Sequence, residues 1–157
     1  VLSTIGFISL TQKEFNPVLN HESIKNKLFK NASEMIEDIR KIRNSKIPDP
    51  SDFPNLGSFF KNPIMLKKET NENQKLRTLK QYEMPNEMVK FSAGEMLDKL
   101  SLKGMKIRNV GLSTNHALVL TSNGITAAKD IKHVEEILKD LVLQHYGIKL
   151  EREPIYL

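Results

Sequence analysis

Ser45-Lys46-Ile47-Pro48-Asp49-Pro50-Ser51-Asp52-Phe53-Pro54-Asn55-Leu56-Gly57-Ser58-Phe59-Phe60-Lys61-Asn62-Pro63 is the stretch around which the rest of the chain is read. Pro48, Pro50 and Pro54 each remove a backbone donor and fix φ, so no regular element is expected over residues 44–57. A long loop inside a compact domain is commonly functional rather than filler. Gly57 lets the backbone turn sharply or come close to a ligand. Around it stand Lys46, Ser58, Lys61 and Asn62: two cations, a hydroxyl and an amide. Each alone has an ordinary explanation, a solvated lysine or a turn serine. Together they mark a candidate site.

The flanks read as alternating helices and strands. Upstream, Asn31-Ala32-Ser33-Glu34 has the form of a helix start, with Asn31 as cap and Glu34 reciprocating. Met35, Ile36, Ile39 and Ile42 fall on one face, so the helix should run to about Arg43, where basic residues suit the dipole. Before it, residues 4–10 read as a strand, 12–20 as a loop and 22–29 as a short helix. Downstream, residues 63–68 read as a strand, 71–82 as a polar helix or excursion, and 83–91 as a loop. A helix is expected over 93–102, capped by Ser92 and closed by Gly104. Residues 105–112 and 117–121 read as strands, followed by a turn at Ser122-Asn123-Gly124. Residues 130–146 form the clearest helix, with Ile131, Val134, Ile137, Leu138, Leu141 and Val142 on one stripe. Gly147 ends it, and residues 148–153 alternate as a half-exposed strand would.

Composition narrows the function. The chain has 157 residues, with 24 Lys and Arg against 19 Asp and Glu, a net charge of +5. That length is about one domain. At 39% hydrophobic and 27% charged the chain is neither disordered nor membranous in composition. With no cysteine, disulfides, thiolate zinc sites, iron–sulfur clusters and cysteine nucleophiles are excluded, and a reducing, cytoplasmic setting fits. No apolar run reaches the ~18–20 residues needed to span a bilayer, so no membrane association is expected. His21, His116, His133 and His145 are scattered without ligand spacing, so no metal is expected. Lys and Arg are spread evenly and aromatics are 6%, which argues against nucleic acid; the positive balance suits a phosphorylated small molecule instead. There is no phosphate-binding glycine loop or dinucleotide fingerprint. The first residues, Val1-Leu2-Ser3-Thr4-Ile5-Gly6, lack a basic leader and an initiator Met. They read as a point partway along a longer polypeptide, or as a processed mature terminus.

Ser45 to Pro50, followed at fixed distance by Gly57-Ser58-Phe59-Phe60-Lys61-Asn62-Pro63, closely resembles the MurB family of flavin-dependent UDP-N-acetylenolpyruvoylglucosamine reductases. Ser92-Ala93-Gly94 with Leu102-Lys103-Gly104, then His116-Ala117-Leu118-Val119-Leu120, then Gly147-Ile148 with Leu150-Glu151-Arg152-Glu153 line up in the same order. The resemblance covers nearly the whole chain and corresponds to the C-terminal half of such an enzyme. It implies an α+β fold with a small, mostly antiparallel sheet covered by helices. Residues 1–32 would be the tail of a flavin-binding domain and a linker, and residues 33–157 the C-terminal substrate-binding domain. The activity implied is NADPH-dependent reduction of UDP-N-acetylglucosamine enolpyruvate to UDP-N-acetylmuramate, a step of peptidoglycan synthesis. FAD would be bound mainly by the N-terminal domain of the same protein, and this chain alone would be inactive.

By the same resemblance Ser58 is the proton donor and Glu153 the active-site carboxylate, with Glu151 as a rival. Lys46 and Asn62 match positions that bind the UDP-sugar, and His116 a polar substrate contact, commonly Gln. His21 stands where some members carry a substrate-gating Tyr. Arg108-Asn109 replaces a usual glycine pair, so side chains there are expected to crowd the ligand. Pro154-Ile155 replaces Val-Arg, removing an arginine near the flavin. These departures leave open a divergent, non-catalytic UDP-sugar-binding module.

Overall fold

The computed structural model describes residue 24, residues 27–46 and residues 54–155, without the side chains of Arg43 and Lys46. The chain divides into two compact units, Val1–Lys46 and Ile47–Leu157. The strand expected over 4–10, the loop over 12–20 and His21 lie outside the described residues.

In the first unit, helix α1 spans Ala32–Lys46. Asn31 Oδ1 accepts from the Glu34 N–H at 2.9 Å, as a cap should. The Glu34 carboxylate reaches back one residue further than expected, accepting from the Lys30 N–H at 2.9 Å. The helix also runs three residues past Arg43. Nothing in Asn44-Ser45-Lys46 stops it; Pro48, which bars its predecessor from helical backbone, lies beyond. Ile24 is helical, as the short helix expected over 22–29 requires, but residues 27–29 are not, so that helix does not reach Phe29.

The second unit is an α+β fold with two antiparallel sheets, as expected. Its strands are β1 (Asn55–Ser58), β2 (Ile64–Leu66), β3 (Tyr82–Met84), β4 (Met88–Lys90), β5 (Lys106–Ile107), β6 (Val110–Leu112) and β7 (Val119–Ser122). The larger sheet has the order β1-β7-β6-β5 and the smaller β2-β4-β3. Its helices are α2 (Lys67–Glu72), α3 (Ala93–Lys99) and α4 (Ala128–Tyr146), with a 3₁₀ turn at Leu76–Thr78. Helix α4 packs on β6, and α3 packs on α4. Val134, Leu138 and Val142 of the predicted stripe are fully buried, against a core that includes Phe59, Phe60, Phe91, Met96, Leu97 and Leu120.

Four expectations need correcting. Strand β1 forms inside the stretch expected to be irregular. Asn55 Oδ1 accepts from the Gly57 N–H at 3.0 Å, and the β1–β7 register shifts between Asn55 and Ser58. Gly57 takes φ +64°, so a bulge absorbs the turn and pairing continues. The single strand expected over 105–112 is a hairpin, β5–β6, turned at Arg108 with φ +55°. The strand expected over 148–153 makes one bridge, Phe60 with Arg152. The loop expected over 83–91 is the β3–β4 hairpin, whose turn places Asn86 at φ +59° and Glu87 at φ +54°.

Two successive left-handed residues form a type I′ turn, for which Asn-Gly is the favoured pair. Asn tolerates that backbone; Glu does so only against steric resistance. Glu87→Gly should therefore stabilise the chain by about 1 kcal/mol. A urea melt is the check, and a lower midpoint would contradict the turn assignment.

Candidate functional site

Ser58 is the exposed last residue of β1, opposite Val119 of β7. Beyond it the chain drops into the core as Phe59 and Phe60, whose rings meet edge to face at 5.0 Å. The Phe59 N–H donates to the Leu118 carbonyl at 2.9 Å, and the Phe59 carbonyl accepts from the Glu153 N–H, also at 2.9 Å. One step on, the Lys61 N–H donates to the Glu151 carbonyl at 2.8 Å. Two sequence-distant segments are thereby laced together, and Glu153 is hydrogen-bonded to the residue immediately after Ser58.

This lacing separates the two rival carboxylates. Glu151 pairs with the Lys61 ammonium at 3.3 Å. Glu153 is exposed, and neither its carboxylate nor the Ser58 hydroxyl is engaged by any partner among the described residues. A hydroxyl and a carboxylate on adjacent, backbone-tied segments are suited to proton transfer to a bound polar molecule.

Asn62 and His116 reach the same neighbourhood through α3. Asn62 Oδ1 accepts from the N–H of Ala93 at 3.0 Å, and Ser92 Oγ accepts from the N–H of Glu95 at 3.2 Å. The helix start therefore has two side-chain acceptors, and the Asn62 carbonyl is committed to it. Only the Asn62 NH₂ is left as a donor for a ligand. His116 Nδ1 accepts from the Leu118 N–H at 3.2 Å. In the neutral ring this places the proton on Nε2. Gly94 makes room for this turn: a Cβ there would lie 3.3 Å from Leu118 Cβ and 3.4 Å from His116 Cε1. So β1, the start of α3, the 116–118 turn and the 151–153 segment converge.

A cavity of about 460 Å³ adjoins them, lined in part by Lys61, Asn62, Lys149 and Glu151. Ser58, His116 and Glu153 do not line it. Of the remaining candidates, Lys46 ends α1 without a described side chain. Arg108 extends from the β5–β6 turn, 73% exposed, and its guanidinium donates to Asp130 Oδ1 at the start of α4, 2.9 Å away. Ile155 is exposed. Among the described residues no cluster of His, Asp and Glu could hold a metal ion. No described helix is long and apolar enough to cross a membrane.

Residue-by-residue reading missed Glu135. It lies on the buried face of α4 between Val134 and Leu138, and its carboxylate accepts from Arg152 Nη1 at 3.0 Å and pairs with Lys139 Nζ at 2.6 Å. The Glu135 hydrogen bond holds the Lys139 ammonium above the usual lysine range. The signal was present: a carboxylate in register with an apolar helical stripe must find a cation.

Comparison with known proteins gives the family of the chain. The C-terminal-domain family of UDP-N-acetylenolpyruvoylglucosamine reductases matches residues 49–157. The chain belongs to that family and carries its C-terminal domain. Proteins named UDP-N-acetylenolpyruvoylglucosamine reductase match it widely. That of Flavobacterium johnsoniae is 38% identical over 113 residues, covering 71% of this chain and 34% of the relative. That of Neisseria gonorrhoeae is 33% identical over 127 residues, covering 80% and 37%. That of Pasteurella multocida is 31% identical over 144 residues, covering 90% and 42%. The chain thus spans about a third to two fifths of the length of the relatives it matches.

Proposed function

We propose that this chain is the substrate-binding part of a cytoplasmic oxidoreductase that reduces UDP-N-acetylglucosamine enolpyruvate to UDP-N-acetylmuramate for peptidoglycan synthesis. The observation that carries this reading is the backbone tie between Phe59 and Glu153, which joins the segment bearing Glu153 to the residue after Ser58 in a chain of this family. NADPH would be the reductant. FAD would be held chiefly by a flavin-binding domain of the same protein; the sequence of this chain has no glycine-rich phosphate turn opening a helix. By the family resemblance, its residues would stand on the substrate side of such a site. When bound, the flavin supplies hydride to the outer vinyl carbon.

The chain's own residues then have three tasks. Hydride addition leaves negative charge on the neighbouring carbon and, through it, on the substrate carboxylate. Ser58 Oγ–H protonates that carbon; a serine is a weak acid, and proximity to a strong carbanion base compensates. By the family resemblance, Glu153 helps to stabilise the intermediate through its carboxyl group. The Asn62 NH₂ and His116 Nε2–H hold carbonyl or hydroxyl groups of the UDP-sugar. Lys46 on the diphosphate and His21 on the substrate rest on the family resemblance alone. Arg108 is engaged by Asp130 at the start of α4.

Titrating the UDP-sugar substrate into this chain, followed by NMR, tests the reading. Backbone signals of Ser58, Asn62 and His116 should shift together. Asn62→Asp keeps the acceptor for the Ala93 N–H, so stability should hold while affinity falls about tenfold through the lost donor. Asn62→Ala should cost about 1–2 kcal/mol of stability, since it strands the N–H of a buried Ala93. A titration that moves none of these signals overturns the assignment.

A further inference from the structure

Acidic side chains are rarely buried without a partner, and Glu135 sits with its side chain 3% exposed on the inner face of α4. Across the fold it accepts from Arg152. Arg152 bridges to Phe60 across the ladder, it donates from Nε to the Pro154 carbonyl at 2.7 Å, and it donates from Nη1 to Glu135. Glu153 is the residue between these two attachments. Because the 151–153 segment makes one bridge instead of a full strand, its backbone ladder is short. The Arg152 side chain adds an anchor immediately beside Glu153.

We propose that Glu135 is a positioning residue, gripping Arg152 from α4 so that the 152–154 turn presents Glu153 beside Ser58. This deepens the reductase reading and rests on it. Glu135 touches no reacting atom; it acts through Arg152. Displacing a reacting group by about 1 Å can slow a step by about a hundredfold, so the anchor should be visible in rate rather than in substrate affinity.

Two measurements decide it. In this chain, Glu135→Gln should speed hydrogen exchange at the Glu153 amide about tenfold, since that N–H is held to Phe59 by the ladder the anchor supports. In the complete reductase, the same change should slow reoxidation by the enolpyruvyl substrate about ten- to a hundredfold. KM and flavin reduction by NADPH should stay within twofold. A merely structural role would move all of these together. Glu136→Gln, at an exposed neighbour on the same helix, should change none of them. If Glu135→Gln does not fold, Arg152→Gln is read in its place. It spares the Glu135–Lys139 pair and should give the same exchange and rate pattern. Unchanged Glu153 exchange together with unchanged reoxidation overturns the proposal. An unmutated complete enzyme that never reduces the substrate sinks the reductase reading, and the exchange result then decides alone whether Glu135 holds the segment.

Discussion

Ser58→Ala in the complete reductase should leave flavin reduction by NADPH intact and slow reoxidation by the enolpyruvyl substrate about 10²- to 10⁴-fold, the usual range for a lost proton donor. The separation between half-reactions is sharp because of where Ser58 stands. It is exposed at the end of β1, and among the described residues its hydroxyl holds nothing inside the fold. Its neighbour Phe59 carries the structural hydrogen bonds, to Leu118 and from Glu153, through backbone atoms. Alanine removes one oxygen and disturbs no internal partner, so the change in stability should stay within about 0.5 kcal/mol. What it removes is the proton for the carbanion. Stopped-flow absorbance of the flavin in each half-reaction reads this directly. Equal rates in both for the variant and the unmutated enzyme would take the donor role away from Ser58.

How much of this was legible in the sequence depends on whether a feature is local. The α4 stripe, its Gly147 stop and the Ser92 cap are written in residues three or four apart, and they appear in the structure at those places. The contacts that tie the segments bearing Ser58, Asn62, His116 and Glu153 span sequence separations that no local pattern encodes. The misread stretches share one cause. Arg108, Asn86 and Glu87 adopt left-handed backbone without being glycine, so two hairpins were hidden as one strand and one loop. Strand β1 was hidden by the prolines before it, although a bulge at Gly57 is enough to restore pairing. Glu135 was hidden differently. Its helical position was evident, but its partner Arg152 comes from a segment whose placement only the fold reveals.

Gly111→Ala should cost about 3 kcal/mol or more and leave little soluble folded chain, the largest loss expected from any single methyl here. Gly111 is the middle residue of β6, buried, and paired with Lys106 on one side and Thr121 on the other. A Cβ at this position would collide with the Met105 carbonyl oxygen and come within 2.9 Å of Lys106 Cα. Both obstacles are backbone, so no rotamer change relieves them. The Met105 carbonyl is fixed there because it accepts from the Leu112 N–H at 2.8 Å, the bond that closes the β5–β6 hairpin. Relief requires β5 to separate from β6, which exposes the core around Val110 and Leu112. Gly57 is the contrast. Nothing lies within 4 Å of its hypothetical Cβ, and only its φ of +64° resists alanine, a cost of about 1–2 kcal/mol. Thermal unfolding of both variants separates steric collision from backbone strain. The site should follow the fold in the first case, because β6 pairs with β7, and β7 holds Ser58 in register through Val119. A soluble Gly111→Ala chain melting within about 1 kcal/mol of the unmutated one would mean that the β5–β6 hairpin does not close over Gly111 as described.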